Sequence, residues 1–341
     1  MRVYLHQSSV DFIFTQNKED FIVDEIPSRE FAGRGKYLIA RVQKQEMTTW
    51  DMVAVFARYL GIEANEIGYA GLKDKHATTT QYLSFDARYI AALKNFRHKN
   101  IKITDMKKDT KSIRMGDLAG NRFGINIHDV DNIKAGRIEK AAHKIQKEGL
   151  ANYFGYQRFG KEQDALIQAK EMLAGERFVK DPKVKNFLVS VYQSHLFNEW
   201  LKKRVQLSQN GKFKLFAGDV FMTMTPEEKL FTPKEVPLQD FLAHKVTPTG
   251  LLPGRGAFRA RGDAREIEKE FDDEYLPYKG FRRAAIVWPE DFSLKLRAKE
   301  KKAHLRFTLP KGAYATSLIE AFKGEEITPA TSTDNKNRTS F

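Results

Sequence analysis

The sequence predicts an α+β protein of two domains, the second inserted into the first. Three features lead there: mixed strand and helix patterns in the first third, longer helical stretches from about Tyr153, and a return to strand patterns after Arg283. At 341 residues the chain is long enough to build two cores. In the first third, Phe21-Ile-Val23 is an apolar segment and Tyr37-Leu-Ile-Ala-Arg-Val42 reads as a strand. A helix follows over about 49–60, capped by Thr48 or Thr49, with Trp50, Val53, Ala57 and Leu60 on one face. Glu66-Ile-Gly-Tyr-Ala70 reads as the end of a buried strand. Thr79, Gln81, Leu83 and Phe85 then alternate with Thr80, Tyr82 and Ser84, the period of a half-buried strand. Phe123, Ile125 and Ile127 alternate against Gly124, Asn126 and His128, and a helix over about 133–148 ends at Gly149. Helical stretches over 188–207 and 264–275 belong to the inserted part. Ala285-Ile-Val-Trp288 and Leu305-Arg-Phe-Thr-Leu309 return to strand, before a last helix over 314–322. The expected division is one discontinuous domain of 1–152 with 288–325, an inserted domain of 153–287, and a polar tail of 326–341 expected to be disordered.

Lys and Arg outnumber Asp and Glu by 58 to 44, a formal net charge of +14. Such a field attracts polyanions, and nucleic acid is the leading partner class. The cations are spread along the chain, as in Arg97-His-Lys-Asn-Ile-Lys102, Lys107-Lys108, Lys202-Lys-Arg204 and Arg282-Arg283, which suits a wide docking surface better than a basic arm. A basic protein with no polyanion partner is the plainer reading; 25 Phe and 12 Tyr weigh against it, because they supply faces for an unstacked base. No run approaches the ~18 apolar residues of a membrane span, and the start lacks the apolar core of a signal peptide, so a cytoplasmic protein without a membrane partner is expected. Cysteine is absent, which removes disulfides, thiol nucleophiles and thiolate metal sites. The eight His show no zinc spacing, and no phosphate loop or dinucleotide fingerprint occurs; neither metal nor cofactor is expected.

The stretch that carries chemistry is Ala70-Gly-Leu-Lys-Asp-Lys-His-Ala-Thr-Thr-Thr-Gln81, which sets Asp74 between Lys73 and Lys75 on a tight turn at a strand end. Flanking positive charge keeps a carboxylate ionised near neutral pH, as a nucleophile or general base requires. A solvated charged turn is the alternative for any Lys-Asp-Lys taken alone.

The surrounding residues extend the case. Gly71 to Gln81 closely resembles the signature of the tRNA pseudouridine synthase D family, and other matches follow in the family's order. Glu19-Asp-Phe-Ile-Val-Asp-Glu25 resembles its opening motif and Gly120-Asn-Arg-Phe123 its Gly-Asn-x-Phe motif. Asn152-Tyr-Phe-Gly-Tyr-Gln-Arg-Phe-Gly160 and Gln193-Ser-His-Leu-Phe-Asn198 resemble two further runs, and Leu309-Pro-Lys-Gly-Ala-Tyr-Ala-Thr-Ser317 the closing motif. The resemblance covers roughly 15–323. It implies a pseudouridine-synthase-type mixed sheet in the catalytic domain, with an inserted second α+β domain. It also implies isomerisation of a tRNA uridine, uridine 13 of the D-arm being the family's favoured site, without metal, cofactor or energy source. Asp74 matches the family's nucleophile, and the target must be unstacked to reach it.

Phe21, Phe123 and Tyr314 are then candidates to enclose the uracil; read singly, each is more simply a core aromatic. Asn121 suits a uracil edge or the orientation of Asp74, or else a turn after Gly120. Lys73 and Lys75 are candidate substrate contacts. Arg158, with Lys161 close by, either holds tRNA phosphate or belongs to a hinge. Gln193 and Asn198 are expected to satisfy interior polar groups. Two departures stand out. The family's usual basic residue six positions before Phe21 is Thr15 here, leaving Lys18, Lys73 or Lys75 to face Asp74, and Tyr314 stands where phenylalanine is common. The rival expectations are a non-catalytic tRNA-binding or tRNA-folding protein and, more weakly, an RNA hydrolase using Asp74 as general base. A monomer is the default.

Overall fold

The computed structural model describes residues 2–6, 8–160, 163–208, 211–225 and 227–327. Lys161, and the expected polar tail from 328 on, lie outside the described residues. In chain order the first elements are β1 (Ile13–Phe14), β2 (Phe21–Pro27), β3 (Tyr37–Gln45), α1 (Thr49–Leu60), β4 (Gly68–Tyr69), β5 (Thr78–Asp86), α2 (Ile90–Asn95), β6 (Ile101–Asp109), β7 (Leu118–His128) and α3 (Asn132–Glu148). There follow β8 (Leu150–Ala151), α4 (Asp164–Leu173), α5 (Pro182–Gln206), β9 (Phe221–Thr223), β10 (Leu230–Phe231), α6 (Leu238–Leu242), β11 (Val246–Leu252), α7 (Gly262–Glu268), β12 (Phe281–Ala284) and β13 (Ile286–Val287). The last described elements are β14 (Glu290–Arg297), β15 (Lys302–Pro310) and α8 (Ala315–Lys323).

The described residues form two compact units, one of residues 12–135 and 290–312, the other of residues within 1–11, 136–289 and 313–327. In the first, the described strands build a mixed sheet in the order β14-β15-β7-β2-β5-β3-β6, with β1 on β7 and β4 on β5. Its neighbours are antiparallel except β2 and β5, which run parallel. α1 forms where it does because Thr48 accepts from the backbone N–H of Asp51 while Asp51 accepts from that of Thr48, a capping box, and because Gly61 ends it at φ 66°. Met52, Val53, Phe56 and Ala57 of α1 are buried against Leu38, Ala40 and Val42 of β3 and Leu83 and Phe85 of β5. Trp50, expected on that apolar face, is 61% exposed instead: one step after Thr49, it points about 100° away from it. β5 is central rather than half-buried, so Thr80 and Ser84 are covered as well as Thr79 and Gln81.

The register fixes what shares a face. Phe307, Phe123, Val23, Thr79 and Lys44 are paired in turn across β15, β7, β2, β5 and β3, and so stand in one row. Leu309, Asn121 and Glu25 begin the next row, which Gln81 and Val42 share on β5 and β3. This is the face α1 covers, and the second row passes below its N-terminus.

The second unit is centred on α5, capped by Asp181 with Pro182 at its first position, and on the sheet β10-β9-β11-β12. Its core packs Phe197, Trp200 and Leu201 of α5 with Phe221, Phe241 and Trp288. Within it Arg204, with no exposed side-chain surface, makes a bidentate pair with Asp219 at 2.7 and 2.9 Å. Gln193 donates to the carbonyls of Pro253 and Lys279, and Asn198 exchanges two bonds with the backbone of Phe154, so both satisfy buried backbone as expected.

Candidate active site

The Gly71–Ala77 loop is fastened by its backbone and its lysine. The Thr49 hydroxyl, free because Thr48 does the capping, accepts from the Lys73 N–H at 2.9 Å and donates to Gln81 Oε1 at 3.0 Å. Gln81 Nε2 donates to the Gly71 carbonyl, and the Gly116 N–H to that of Ala70. Lys44 Nζ reaches up from β3 to the carbonyls of Met47 at 2.6 Å and Asp74 at 2.8 Å. The Lys73 ammonium turns down onto the sheet, where it meets Glu25 Oε2 at 2.6 Å and Asn121 Oδ1 at 2.9 Å.

Asp74 itself is exposed, and among the described residues no hydrogen bond or ion pair occupies its carboxylate. Crowding by surrounding protein pushes its carboxyl above the usual carboxylate range, opposed by the charges of Lys44, Lys73 and His76. Its open surface admits water, which favours the ionised form. Lys44 has no exposed surface; burial pulls its ammonium down from 10.5 to about 8, against the attraction of Asp74. The loop thus holds Asp74 fixed through its backbone and free at its carboxylate.

The structure brings Asp74, Lys73 and Asn121 together. Lys75 is exposed on the same loop. Phe21 and Phe123 lie in a buried aromatic series with Phe14 and Phe307, 2% and 5% exposed, with ring centroids 6.2 Å apart. Tyr314 and Arg158 belong to the other unit. There Tyr314 meets Phe154 edge-on at 6.0 Å, and the Arg283 guanidinium lies 3.9 Å from the Phe154 centroid. Arg158 donates to the hydroxyls of Ser190 and Ser194 and flanks Phe154 at 5.7 Å.

Of the lysines considered as partners for Asp74, Lys18 turns to Glu46 at 3.5 Å and Lys73 to Glu25. The cation bonded to the Asp74 backbone is Lys44, which sequence reading passed over. Its signal was the alternation of β3: Leu38, Ala40 and Val42 are followed on the same face by a lysine. Glu25 closed a recognised motif, yet only its register opposite Asn121 reveals it as the partner of Lys73.

Among the described residues no cluster of three or more His, Asp or Glu has the form of a metal site, and no helix is long and apolar enough to cross a membrane.

The family model of tRNA pseudouridine synthase D (TruD) matches residues 1–180 and 164–322. The chain is 39% identical to the tRNA pseudouridine synthase D of Nitratiruptor sp. and 40% to that of Sulfurimonas denitrificans, in each case over 95% of this chain and 98% of the relative. The Campylobacter jejuni protein of that name is 36% identical over 93% of this chain and 94% of its own length. A solved Methanosarcina mazei protein assigned to tRNA pseudouridine synthase D shares the fold, with a TM-score of 0.70 at 23% identity over 97% of each chain. The chain belongs to the tRNA pseudouridine synthase D family, a family of isomerases.

Proposed function

We propose that this protein converts a uridine of tRNA to pseudouridine, with uridine 13 of the D-arm as the target and Asp74 as the nucleophile. The observation that carries the reading is the Asp74 carboxylate, exposed and without a partner among the described residues, on a loop whose backbone is tied to α1, β3 and β5. The rearrangement is internal to the nucleoside. The bond from N1 to C1′ breaks, C5 forms the new bond to C1′, the C5 hydrogen leaves as a proton, and N1 takes up a proton. No redox partner or co-substrate enters the balance. An ionised carboxylate supports departure of the base and its reattachment, and a preset loop avoids the entropy of bringing the group to the substrate.

Asn121, Lys73 and Lys75 are proposed to contact substrate beside Asp74, and Phe21 and Phe123 to contact the base; Tyr314 and Arg158, in the other unit, are proposed as further substrate contacts, Arg158 to phosphate. Residues 1–152 with 288–325 are proposed as the catalytic domain and 153–287 as the family-specific insert. A monomer acting in the cytoplasm on tRNA, without metal or cofactor, completes the proposal.

The test is pseudouridine mapping on unmodified tRNA incubated with the protein in a chelator, run beside Asp74→Asn. Product at a D-arm uridine with the wild type alone is the expected result. Product from Asp74→Asn would remove Asp74 from the role, and tRNA binding by both without product would favour a binding or folding protein.

A further inference from the structure

In the first unit, away from the 71–77 loop, the turn between α2 and β6 and the outer edge of the sheet enclose a concavity of about 610 Å³. Its lining includes Lys94, Arg97, His98, Lys99 and Lys102 and no Asp or Glu. Four of these are exposed and fully cationic types, and among the described residues none of them is in an ion pair. The Arg97 guanidinium reaches only the carbonyls of Lys94 and Phe96. Elsewhere on the surface Lys18, Lys134, Lys203 and Lys245 each have an acidic neighbour, whereas the cations of this hollow have none lining it with them.

The floor is of a different kind. Leu93, Phe96 and Ile101 are nearly covered core residues beneath it, Ile103 and Met106 are half-buried beside them, and the half-buried His98 ring lies nearly parallel to Phe96 at a 12° angle with centroids 6.3 Å apart. Gln43 of β3 and Asn100 add amide groups, which donate and accept and so can meet a base edge, while the Gln45 amide donates to the Thr78 hydroxyl. Lysines on an edge strand also discourage pairing with another sheet. That purpose accounts for Lys102 and for Lys107 and Lys108 farther along β6, but not for a hollow with an apolar floor and amide walls. Cations on the rim, apolar and aromatic surface below and amides at the side are the combination that receives an unpaired nucleotide with its flanking phosphates. The volume is within the range of small-ligand pockets and suits one or two nucleotides.

We propose that this hollow is a second RNA subsite, binding a short unpaired stretch of the substrate RNA other than the target uridine. The inference rests on the reading of the protein as an RNA-modifying enzyme and adds a place where that RNA is held. The subsite acts in binding alone.

The test is the variant Lys94→Ala/Arg97→Ala/Lys102→Ala, all exposed positions outside the catalytic loop. Loss of three phosphate contacts is expected to flatten the slope of log affinity for tRNA against log salt by about 2 and to raise KM on the order of tenfold at physiological salt, with kcat unchanged. A hexauridylate oligomer should compete with tRNA for the wild type and not for the variant, and an RNA duplex of six pairs should compete poorly with either. An unchanged salt slope and KM in a variant with wild-type thermal stability would overturn the subsite, as would competition by the duplex equal to that of the oligomer. Should the variant lose thermal stability, the competition on the wild type decides, with photocrosslinks from a 4-thiouridine hexamer expected within 93–106 and crosslinks elsewhere counting against. Wild-type protein that binds tRNA without making pseudouridine would strike the catalytic reading and leave the subsite standing.

Discussion

Replacing Lys44 with methionine separates the cation beneath the loop from the lysines on it. The side chain has no exposed surface, and its ammonium donates to the Asp74 carbonyl at 2.8 Å. The carboxylate of the same residue is only a few covalent bonds from that carbonyl and makes no ion pair with Nζ, so the two charges are separated by on the order of 6 Å. With an effective dielectric of about 40, between the surface and bulk-water limits, two unit charges at that separation attract by about 1.4 kcal/mol. That is one pH unit in the ionisation of Asp74. The acid limb of kcat/KM for pseudouridine formation should therefore move up by about one unit in Lys44→Met. In the wild type the Lys44 ammonium titrates near 8, lowered by burial and by Lys73 and held up by Asp74 and Asp51. Any alkaline limb from its deprotonation should be absent in the variant. Stability follows the same group. Folded Lys44 binds its proton less tightly than the unfolded chain does, so its contribution is least favourable below pH 8 and improves as pH rises toward 10.5. The difference is about 3 kcal/mol. Methionine removes that penalty but leaves two carbonyls without their donor, at about 1–3 kcal/mol each. Near pH 7 the two effects oppose, and the alkaline gain should vanish from denaturation curves. A kcat/KM profile superimposable on that of the wild type would refute the role of Lys44.

Lys73→Met leaves Glu25 charged, buried and unpaired beside Asn121, and urea denaturation should show a loss of about 3–5 kcal/mol; a loss below about 1 kcal/mol would mean the pair is not formed in solution. In the other unit, a Cβ added at Gly250 of β11 would strike the Trp200 ring and press on Phe197, so Gly250→Ala should cost about 1–3 kcal/mol or more in thermal unfolding, and a wild-type melting curve would show that β11 and α5 are not packed this closely.

What the sequence yielded and what it withheld divide along the range of the interactions. The bounds of α1 were legible because its capping box and terminal glycine are local, and the alternation of β7 was legible because β15 and β2 cover it evenly along its length. Trp50 was misassigned because a helix face was drawn through an apolar side chain that the fold leaves outside. β14 escaped notice because Phe292, Leu294 and Leu296 are only half-buried at the sheet's edge. Asp74 was found from its neighbours in the chain. Lys44 and Glu25 contribute through register, thirty and nearly fifty positions away, and register is a property of the paired sheet rather than of any one strand.

That distinction explains how the site can lack a cation at Thr15 and still be electrostatically complete. Lys44 bonds the Asp74 backbone carbonyl from below and so brings its charge near Asp74 without bonding the carboxylate. Lys73 is diverted into Glu25 and Asn121, which pins the loop while leaving the carboxylate open. The arrangement buries an ammonium whose pKa burial lowers to about 8, and the pH dependence of pseudouridine formation and of unfolding in Lys44→Met tests whether that charge acts on Asp74.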